Sequence, residues 1–129
     1  MTTAAPTTTA AVAEELVAFC KDGRNMDAIN TLYSPEIVSV ESMGNETMPR
    51  EMKGIDAIRG KNKWWGDNHV THSANVEGPF VGNDDKFAVY YNYDVTFKPT
   101  GVRNNMEEMA LYTVKDGKIV REQFFYRTT

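Results

Sequence analysis

The chain has 129 residues, of which 41% are hydrophobic and 25% charged, a composition that suits one globular domain and argues against disorder. Its formal net charge is −4, and no basic cluster stands out. Nucleic acid is therefore a poor candidate partner, because phosphate contacts need a concentrated positive face. No apolar run approaches the roughly 20 residues that span a bilayer.

Cysteine usage and the N-terminal composition add two further expectations. Cys20 is the only cysteine, which excludes an intramolecular disulfide and a cysteine-rich zinc site. Residues 1–9 are rich in Thr, Ala and Pro and lack the basic start and apolar core of a signal peptide, so they predict a flexible tail. A cytoplasmic protein with a single domain over residues 10–129 is expected.

The first two predicted elements are helices. Leu16 and Cys20 share an apolar stripe at helical spacing, which favours a buried, structural role for the thiol. A second helix over residues 25–33 takes Asn25 as its N-cap. It ends before Pro35, because proline disfavours α geometry in the residue that precedes it.

A strand, a loop and a third helix follow. Residues 36–42 (EIVSVES) alternate and are rich in β-branched side chains, so they predict a strand. Residues 43–53 contain Gly, Asn and Pro and predict a loop. Residues 54–68 (GIDAIRGKNKWWGDN) predict a helix that Gly60 weakens and Gly66 ends.

The rest of the chain predicts four strands joined by turns. They cover residues 70–80, 87–98, 103–115 and 118–127, and Asp116-Gly117 predicts a tight hairpin turn before the last strand. Helices that precede a run of consecutive strands indicate an α+β fold. We predict a strongly curved antiparallel sheet with three helical segments packed in its concavity.

Several predicted strands carry large side chains on both faces. Tyr90 precedes Tyr91 and Phe124 precedes Phe125, so each pair sends one ring to either face of the sheet. A sheet covered by helices on one side only alternates more cleanly. We therefore predict that a second copy covers the outer face in a two-fold homodimer.

Three segments in this order resemble the SnoaL-like proteins of the nuclear transport factor 2-like superfamily. They are residues 28–44 (AINTLYSPEIVSVESMG), 53–65 (KGIDAIRGKNKWW) and 111–126 (LYTVKDGKIVREQFFY), and the resemblance extends over residues 10–127. It implies a cone-shaped half-barrel whose open end holds a pocket, and dimers that pack their sheets together. The superfamily includes isomerases, cyclases, dehydratases, hydrolases and binding modules, so the fold does not fix the activity.

Glu41 is the first candidate for chemistry. It shares a strand face with Ile37 and Ser39, and the ketosteroid isomerase branch, which this segment resembles, carries its general base at this position. That branch also uses two acidic hydrogen-bond donors, and the matching positions are near Val17 and at Ala110, where no side chain can donate. Steroid isomerisation is therefore rejected. A structural carboxylate in a salt bridge is the alternative role for Glu41.

Two further carboxylates and one histidine complete the catalytic candidates. Glu108 and Glu122 are expected to face inward with Glu41, where neighbouring charges push carboxyl pKa values apart; pairing with an arginine or binding a ligand hydroxyl are the alternatives. His69 and His72 are three residues apart in one predicted strand, so they face opposite sides and cannot chelate one metal. His72 stays a candidate acid or base, and no metal site is predicted.

The resemblance and the strand alternation together suggest a pocket for a small, apolar or mixed-polarity organic molecule. Its expected lining is Phe19, Val38, Trp64, Tyr91, Tyr93, Glu108, Ala110, Tyr112, Phe124 and Tyr126. Two hypotheses follow. The first is a binding module of unassigned activity. The second is an isomerase, cyclase or dehydratase that needs no metal or cofactor and uses Glu41 as general base, with Tyr126, Tyr93 or a histidine as donor.

Overall fold

The computed structural model describes residues 8–46 and 48–127. Its elements follow the predicted order, with one short strand added inside the predicted loop. Among the described residues, no helix is both long enough and apolar enough to cross a membrane. The elements are α1 (Thr9–Lys21), α2 (Asn25–Leu32), β1 (Tyr33–Val40), β2 (Glu51–Lys53), α3 (Ile55–Asn68), β3 (His69–Val81), β4 (Lys86–Phe97), β5 (Val102–Lys115) and β6 (Lys118–Phe125).

The strands form one six-stranded sheet in the order β2-β1-β6-β5-β4-β3. Strands β3 to β6 are an antiparallel meander, and β2 pairs antiparallel with β1. The β1–β6 pair is parallel, so the expectation of a wholly antiparallel sheet is wrong at this pair. A parallel pair needs a long crossover, which α3 and the meander supply. The predicted α+β class with a curved, unclosed sheet is confirmed.

Three helix boundaries differ from the sequence expectation. Thr8 accepts a hydrogen bond from the Ala11 N–H at 3.1 Å and caps α1, so the last two residues of the predicted tail belong to the helix and its cap. Residues 1–7 of the predicted tail lie outside the described residues. Asn25 is the first residue of α2 and not its cap, and the N-cap is Arg24, whose side chain binds Asp27 in the first turn.

Helix α3 continues past Gly66, where it was expected to end. Side chains beyond that glycine satisfy the carbonyls of the last turn, which would otherwise lack partners. The Asn68 Nδ2 donates to the Trp64 carbonyl at 2.8 Å, and the His69 ring nitrogen lies 2.7 Å from the Trp65 carbonyl. These contacts extend the helix to Asn68.

The apolar core lies between the helices and the inner face of the sheet. Leu16 of α1, Leu32 of α2 and Phe87 of β4 are each at most 2% exposed. The Phe87 and Tyr112 rings stack at 4.9 Å between centroids. This packing fills the end of the concavity near the β5–β6 turn, so side chains that are free to act lie towards the other end.

A bulge in β6 brings a carboxylate into this core. The register between β5 and β6 shifts at Val114, where Val114 pairs with Ile119 and Thr113 with Arg121. Val120 is therefore the extra residue, and Ile119 and Glu122 both face inward, 0% and 3% exposed respectively. Without the shift, simple alternation would send one of the two side chains to the outer face.

Candidate functional site

A cluster of charged side chains surrounds Lys61 on α3. The Lys61 Nζ lies 2.7 Å from the Ser39 Oγ, 2.9 Å from the Glu41 Oε1 and 3.8 Å from the Glu122 Oε2. It also lies 5.1 Å from the centre of the Phe124 ring. The Lys61 and Glu41 side chains are only 15% and 20% exposed, so water screens this ion pair weakly.

Glu122 lies at the buried side of the cluster. The Tyr33 hydroxyl donates to its Oε1, and the Ser39 Oγ donates to its Oε2 at 2.7 Å. A buried carboxylate needs such donors, because it has lost its hydration. Burial and the Glu122 charge together hold the Tyr33 pKa well above its usual range, so this hydroxyl keeps its proton. Both Glu122 oxygens are thus engaged in holding the fold.

Glu108 on β5 is the carboxylate of the cluster whose oxygen lone pairs are not engaged by hydrogen bonds from the described residues. It makes no hydrogen bond or ion pair with any other described residue in 8–46 or 48–127. Burial, followed by the charges of Glu41 and Glu122, raises the pKa of Glu108 to about 7, although the charge of Lys61 acts in the opposite direction. A carboxyl with this pKa exchanges its proton near neutral pH.

Beside Glu108 the sheet has a notch, where β6 ends at Phe125 while β5 continues back to Val102. The notch is open on one side and has a volume of about 390 Å³, and Glu108, Asn104 and Tyr126 are among the residues that line it. Burial, followed by the charge of Glu41 and a hydrogen bond to it, raises the pKa of Tyr126 to about 12. Polar side chains therefore form part of this wall.

Three of the expected pocket residues are packed inside the core. Tyr91, Ala110 and Tyr112 are each at most 3% exposed. The Tyr91 and Tyr112 hydroxyl oxygens are 2.7 Å apart, and the Cys20 Sγ lies 3.7 Å from the Tyr91 oxygen. These residues face inward, as alternation predicted, but neighbouring side chains fill the space in front of them.

Four others are half-buried or exposed around the core and the cluster. Phe19 packs at the core edge with the Arg24 guanidinium 5.0 Å above its ring. Tyr93 stacks on Tyr91, and Phe124 lies beneath Lys61. Trp64 is 44% exposed, with its ring near those of His69 and Phe97 rather than in the cluster, so helical phase alone misplaced it.

Val38 and His72 lie outside the cluster. Val38 alternates with the buried Ser39 and pairs with Lys53 and Arg121, which places it on the other face of the sheet. His72 is exposed, and its Nε2 lies 2.7 Å from the Thr96 Oγ1.

The reason for the position of His72 is a second irregularity in the sheet. The register between β3 and β4 shifts between Thr71 and Ser73, so His72 has no partner in the ladder. Among the described residues, no group of three His, Cys, Asp or Glu side chains is placed to hold a metal ion.

Sequence reasoning missed Lys61, Tyr33 and the role of Ser39. A signal for Lys61 exists, because it follows the buried Ile58 by three residues and so shares its helix face. No comparable signal exists for Tyr33, which is 89 residues from Glu122 in sequence.

The comparisons with known proteins identify the family. The SnoaL-like domain model matches residues 7–126. The chain belongs to the SnoaL-like domain family. This confirms the predicted place in the nuclear transport factor 2-like superfamily. No curated protein matches this SnoaL-like chain at a significant level.

Solved structures resemble this SnoaL-like protein over most of its length. A Mesorhizobium loti protein, provisionally named a SnoaL-like polyketide cyclase and, in brackets, a carbohydrate phosphatase, is 40% identical with a TM-score of 0.86, covering 92% of this chain and 99% of its own. A Catenulispora acidiphila protein with a ketosteroid isomerase-like fold, in complex with trimethylamine, is 16% identical with a TM-score of 0.69, covering 91% and 85%. TerC, crystallised with polyporic acid, is 17% identical with a TM-score of 0.68, covering 91% and 89%.

These comparisons bound what is known of the function. The two ligand-bound neighbours share the fold alone at their low identity. Family and neighbours together support a small-molecule-binding SnoaL-like protein and name no specific activity for it.

The Glu108→Gln variant tests the position of this carboxyl. In the folded SnoaL-like protein the pKa of Glu108 is raised to about 7, whereas the ordinary pKa of a glutamate is 4.5. The unfolded chain loses this proton first, so the wild-type free energy of unfolding falls as pH rises through that window. The Glu108→Gln variant has no carboxyl at this position, so its free energy of unfolding does not fall for this reason. We expect its free energy of unfolding, relative to wild type, to rise by on the order of 2–3 kcal/mol across the window, measured by urea denaturation.

Glu107→Gln is the matched control for this experiment. Glu107 is the next residue, and its side chain accepts a hydrogen bond from Tyr90 at the exposed outer face. We expect a flat difference from wild type for the control. A flat difference for Glu108→Gln as well would contradict the assigned environment of Glu108.

Tyr33→Phe tests the buried carboxylate. The change leaves the Glu122 Oε1 without its hydroxyl donor in the core. We expect the free energy of unfolding to fall by about 1–3 kcal/mol, because a buried charged group loses a hydrogen bond. Tyr90→Phe removes an exposed Tyr–Glu bond by the same chemical change, and we expect a smaller cost because water replaces the lost bond. Equal costs in the two variants would mean that Glu122 does not need Tyr33.

Proposed function

We propose that this protein binds a small organic molecule of mixed polarity in the notch and exchanges a proton with it through Glu108. The observation that carries the proposal is a largely buried carboxyl that lines the notch, has a pKa of about 7 and makes no hydrogen bond with another described residue. Such a group serves as general acid or base near neutral pH.

The neighbours of Glu108 support charge development on a bound molecule. Lys61 supplies a fixed positive charge close to Glu108, and Tyr126 supplies a hydroxyl on the notch wall. A preorganised cation stabilises an oxygen that gains negative charge when a neighbouring C–H or O–H loses its proton. Isomerisation, cyclisation and dehydration can all include such a step. The provisional cyclase name of the 40% identical relative agrees with this class, whereas the carbohydrate phosphatase name given beside it does not.

The proposal moves the general base from Glu41, the residue predicted from sequence, to Glu108. Glu41 accepts a hydrogen bond from Lys61 at 2.9 Å, so its Oε1 is engaged in an ion pair. Glu122 is likewise engaged by Tyr33 and Ser39. Glu108 is left as the group that can take a proton without first breaking a contact.

A binding module without turnover is the second candidate. The observation that favours it is the chemistry of Val17 and Ala110, which stand where the isomerase branch carries its donors. Both are apolar and at most 4% exposed. If no other group replaces those donors, binding is all that the notch achieves.

A ligand screen followed by one substitution separates the two candidates. Polyporic acid and trimethylamine, the ligands of the two structural neighbours, are the first probes, followed by hydroxylated aromatic ketones, with thermal shift as the measurement. For a compound that the protein converts, we expect Glu108→Gln to bind within about threefold of wild type and to lose turnover by about 100-fold or more. The wild-type kcat/KM should change around pH 7, and the variant should lack this transition.

Glu36→Gln is the control for this experiment, because Glu36 is an exposed glutamate on β1 that does not line the notch. This control should keep both binding and turnover. Binding of a probe with no conversion by any variant would favour the binding module. Equal loss in the Glu36 and Glu108 variants, or no effect in either, would contradict proton transfer by Glu108.

We also propose that the protein forms a two-fold homodimer through the outer face of its sheet. An apolar patch supports this, formed by Phe80, Met109, Leu111 and Phe125. Phe80, Met109 and Phe125 are 55%, 42% and 49% exposed, and Met109 lies directly opposite Phe125 in the β5–β6 ladder. Large contiguous apolar patches mark interaction surfaces. A cytoplasmic location stays a prediction from the sequence.

Met109→Lys tests the dimer. A charge at the centre of the patch should shift the protein from dimer to monomer in sedimentation equilibrium, because the lysine would be buried unpaired. Val102→Lys is the control, since Val102 is an exposed apolar residue at the other end of the same strand. A monomeric wild type, or a Met109→Lys variant that stays dimeric, would contradict this interface.

A further inference from the structure

The buried half of the polar cluster has no part in the proposed proton transfer. Its hydrogen bonds nevertheless have a fixed direction. The Ser39 Oγ carries one proton, which it donates to the Glu122 Oε2 at 2.7 Å. The lone pairs of the Ser39 Oγ therefore face the Lys61 Nζ, which donates a hydrogen bond to the Ser39 Oγ at 2.7 Å. The Tyr33 hydroxyl holds the other Glu122 oxygen, so the carboxylate cannot turn away.

We propose that this Tyr33–Glu122–Ser39 chain is a positioning device that holds the ammonium of Lys61 beside Glu41 and Glu108, so that the charge balance at the notch is set from the core. The proposal rests on the proposed function in one respect, because it takes Glu108 as the residue that exchanges a proton with the ligand. None of its three members reaches the ligand, and they are positioning residues.

A lysine at this place needs such an anchor. Its side chain has four flexible carbons, and fixing them costs conformational entropy. α3 borders solvent on its other side, where Lys63 is 73% exposed, so an ammonium without partners would extend into water. Ser39, which is 0% exposed, supplies an acceptor that water cannot replace, and the Glu122 charge behind it adds attraction.

The position of Lys61 matters because the other charged groups that shift the Glu108 pKa are carboxylates. Glu41 faces it from β1, Glu122 from β6 and Tyr93 from β4, and Lys61 from α3 is the cation among these. Lys61 lowers the proton affinity of Glu108, while the two carboxylates raise it. Any change that lets the ammonium drift away should therefore make Glu108 hold its proton to higher pH.

The test is a titration of the Glu108 side-chain carboxyl by ¹³C NMR in the full chain, with the signal assigned by its absence in Glu108→Gln. No ligand is needed. Lys61→Met should raise the Glu108 midpoint by about half a pH unit or more. Ser39→Ala should raise it in the same direction, and Ser39→Thr, which keeps the hydroxyl, should restore it. Tyr33→Phe, a milder change, should raise it less and covers the case in which Ser39→Ala does not fold.

Ser34→Ala is the matched control. Ser34 lies on the same strand, and its Oγ accepts only the exposed Glu36 N–H at 3.1 Å. The control should leave the Glu108 midpoint where it is, whatever it does to stability. A loss of stability alone would not move the midpoint in the expected direction, so this measurement separates positioning from a merely structural role.

Two results would overturn the proposal. If Lys61→Met leaves the midpoint unchanged, Lys61 does not act on Glu108. If Lys61→Met raises it but Ser39→Ala and Tyr33→Phe do not, the buried chain does not position Lys61. If the midpoints move as expected while the notch binds none of the probes, the positioning device stands and the proposed function fails.

Discussion

The burial of Glu122 is the constraint on which the rest of this structure depends. A carboxylate in an apolar core is tolerated only when donors replace its hydration. Here two hydroxyl groups do so, from Tyr33 at the start of β1 and from Ser39 in its middle. The same carboxylate thus connects β1 to β6 at two points, and it gives the ammonium of Lys61 a reason to turn inward from α3.

The sheet topology makes these contacts possible. Ser39 and Glu122 are direct partners in the parallel β1–β6 ladder, and the bulge at Val120 turns Glu122 to the inner face. Parallel pairing brings the first strand beside the last. Ser39 and Glu122, which share a hydrogen bond, are therefore neighbours although they are 83 residues apart in sequence. One register therefore decides both the packing of the core and the composition of the charged cluster.

The molecule separates structural and reactive groups by depth. Near the β5–β6 turn, aromatic and aliphatic side chains fill the concavity, and the tyrosine hydroxyls found there bond to one another or to Glu122. Towards the end of β6, Glu108 has no hydrogen-bond partner among the described residues. It lies beside the notch, and burial raises its pKa. Desolvation without a hydrogen-bond partner is costly for a charged group, and such cost is tolerated where a ligand is to supply the missing contact.

The sequence by itself determined the order of the helices and strands, the class of the fold, the inward direction of Glu41 and Glu108, and the burial of Cys20. These follow from local periodicity, which depends on residues a few positions apart. Only the tertiary structure decided which carboxylate is free and which are engaged, that Val38 and His72 lie on the outer side, and that Lys61 joins the cluster. Those outcomes depend on bulges, on one parallel register and on partners far apart in the chain, and no local pattern encodes them.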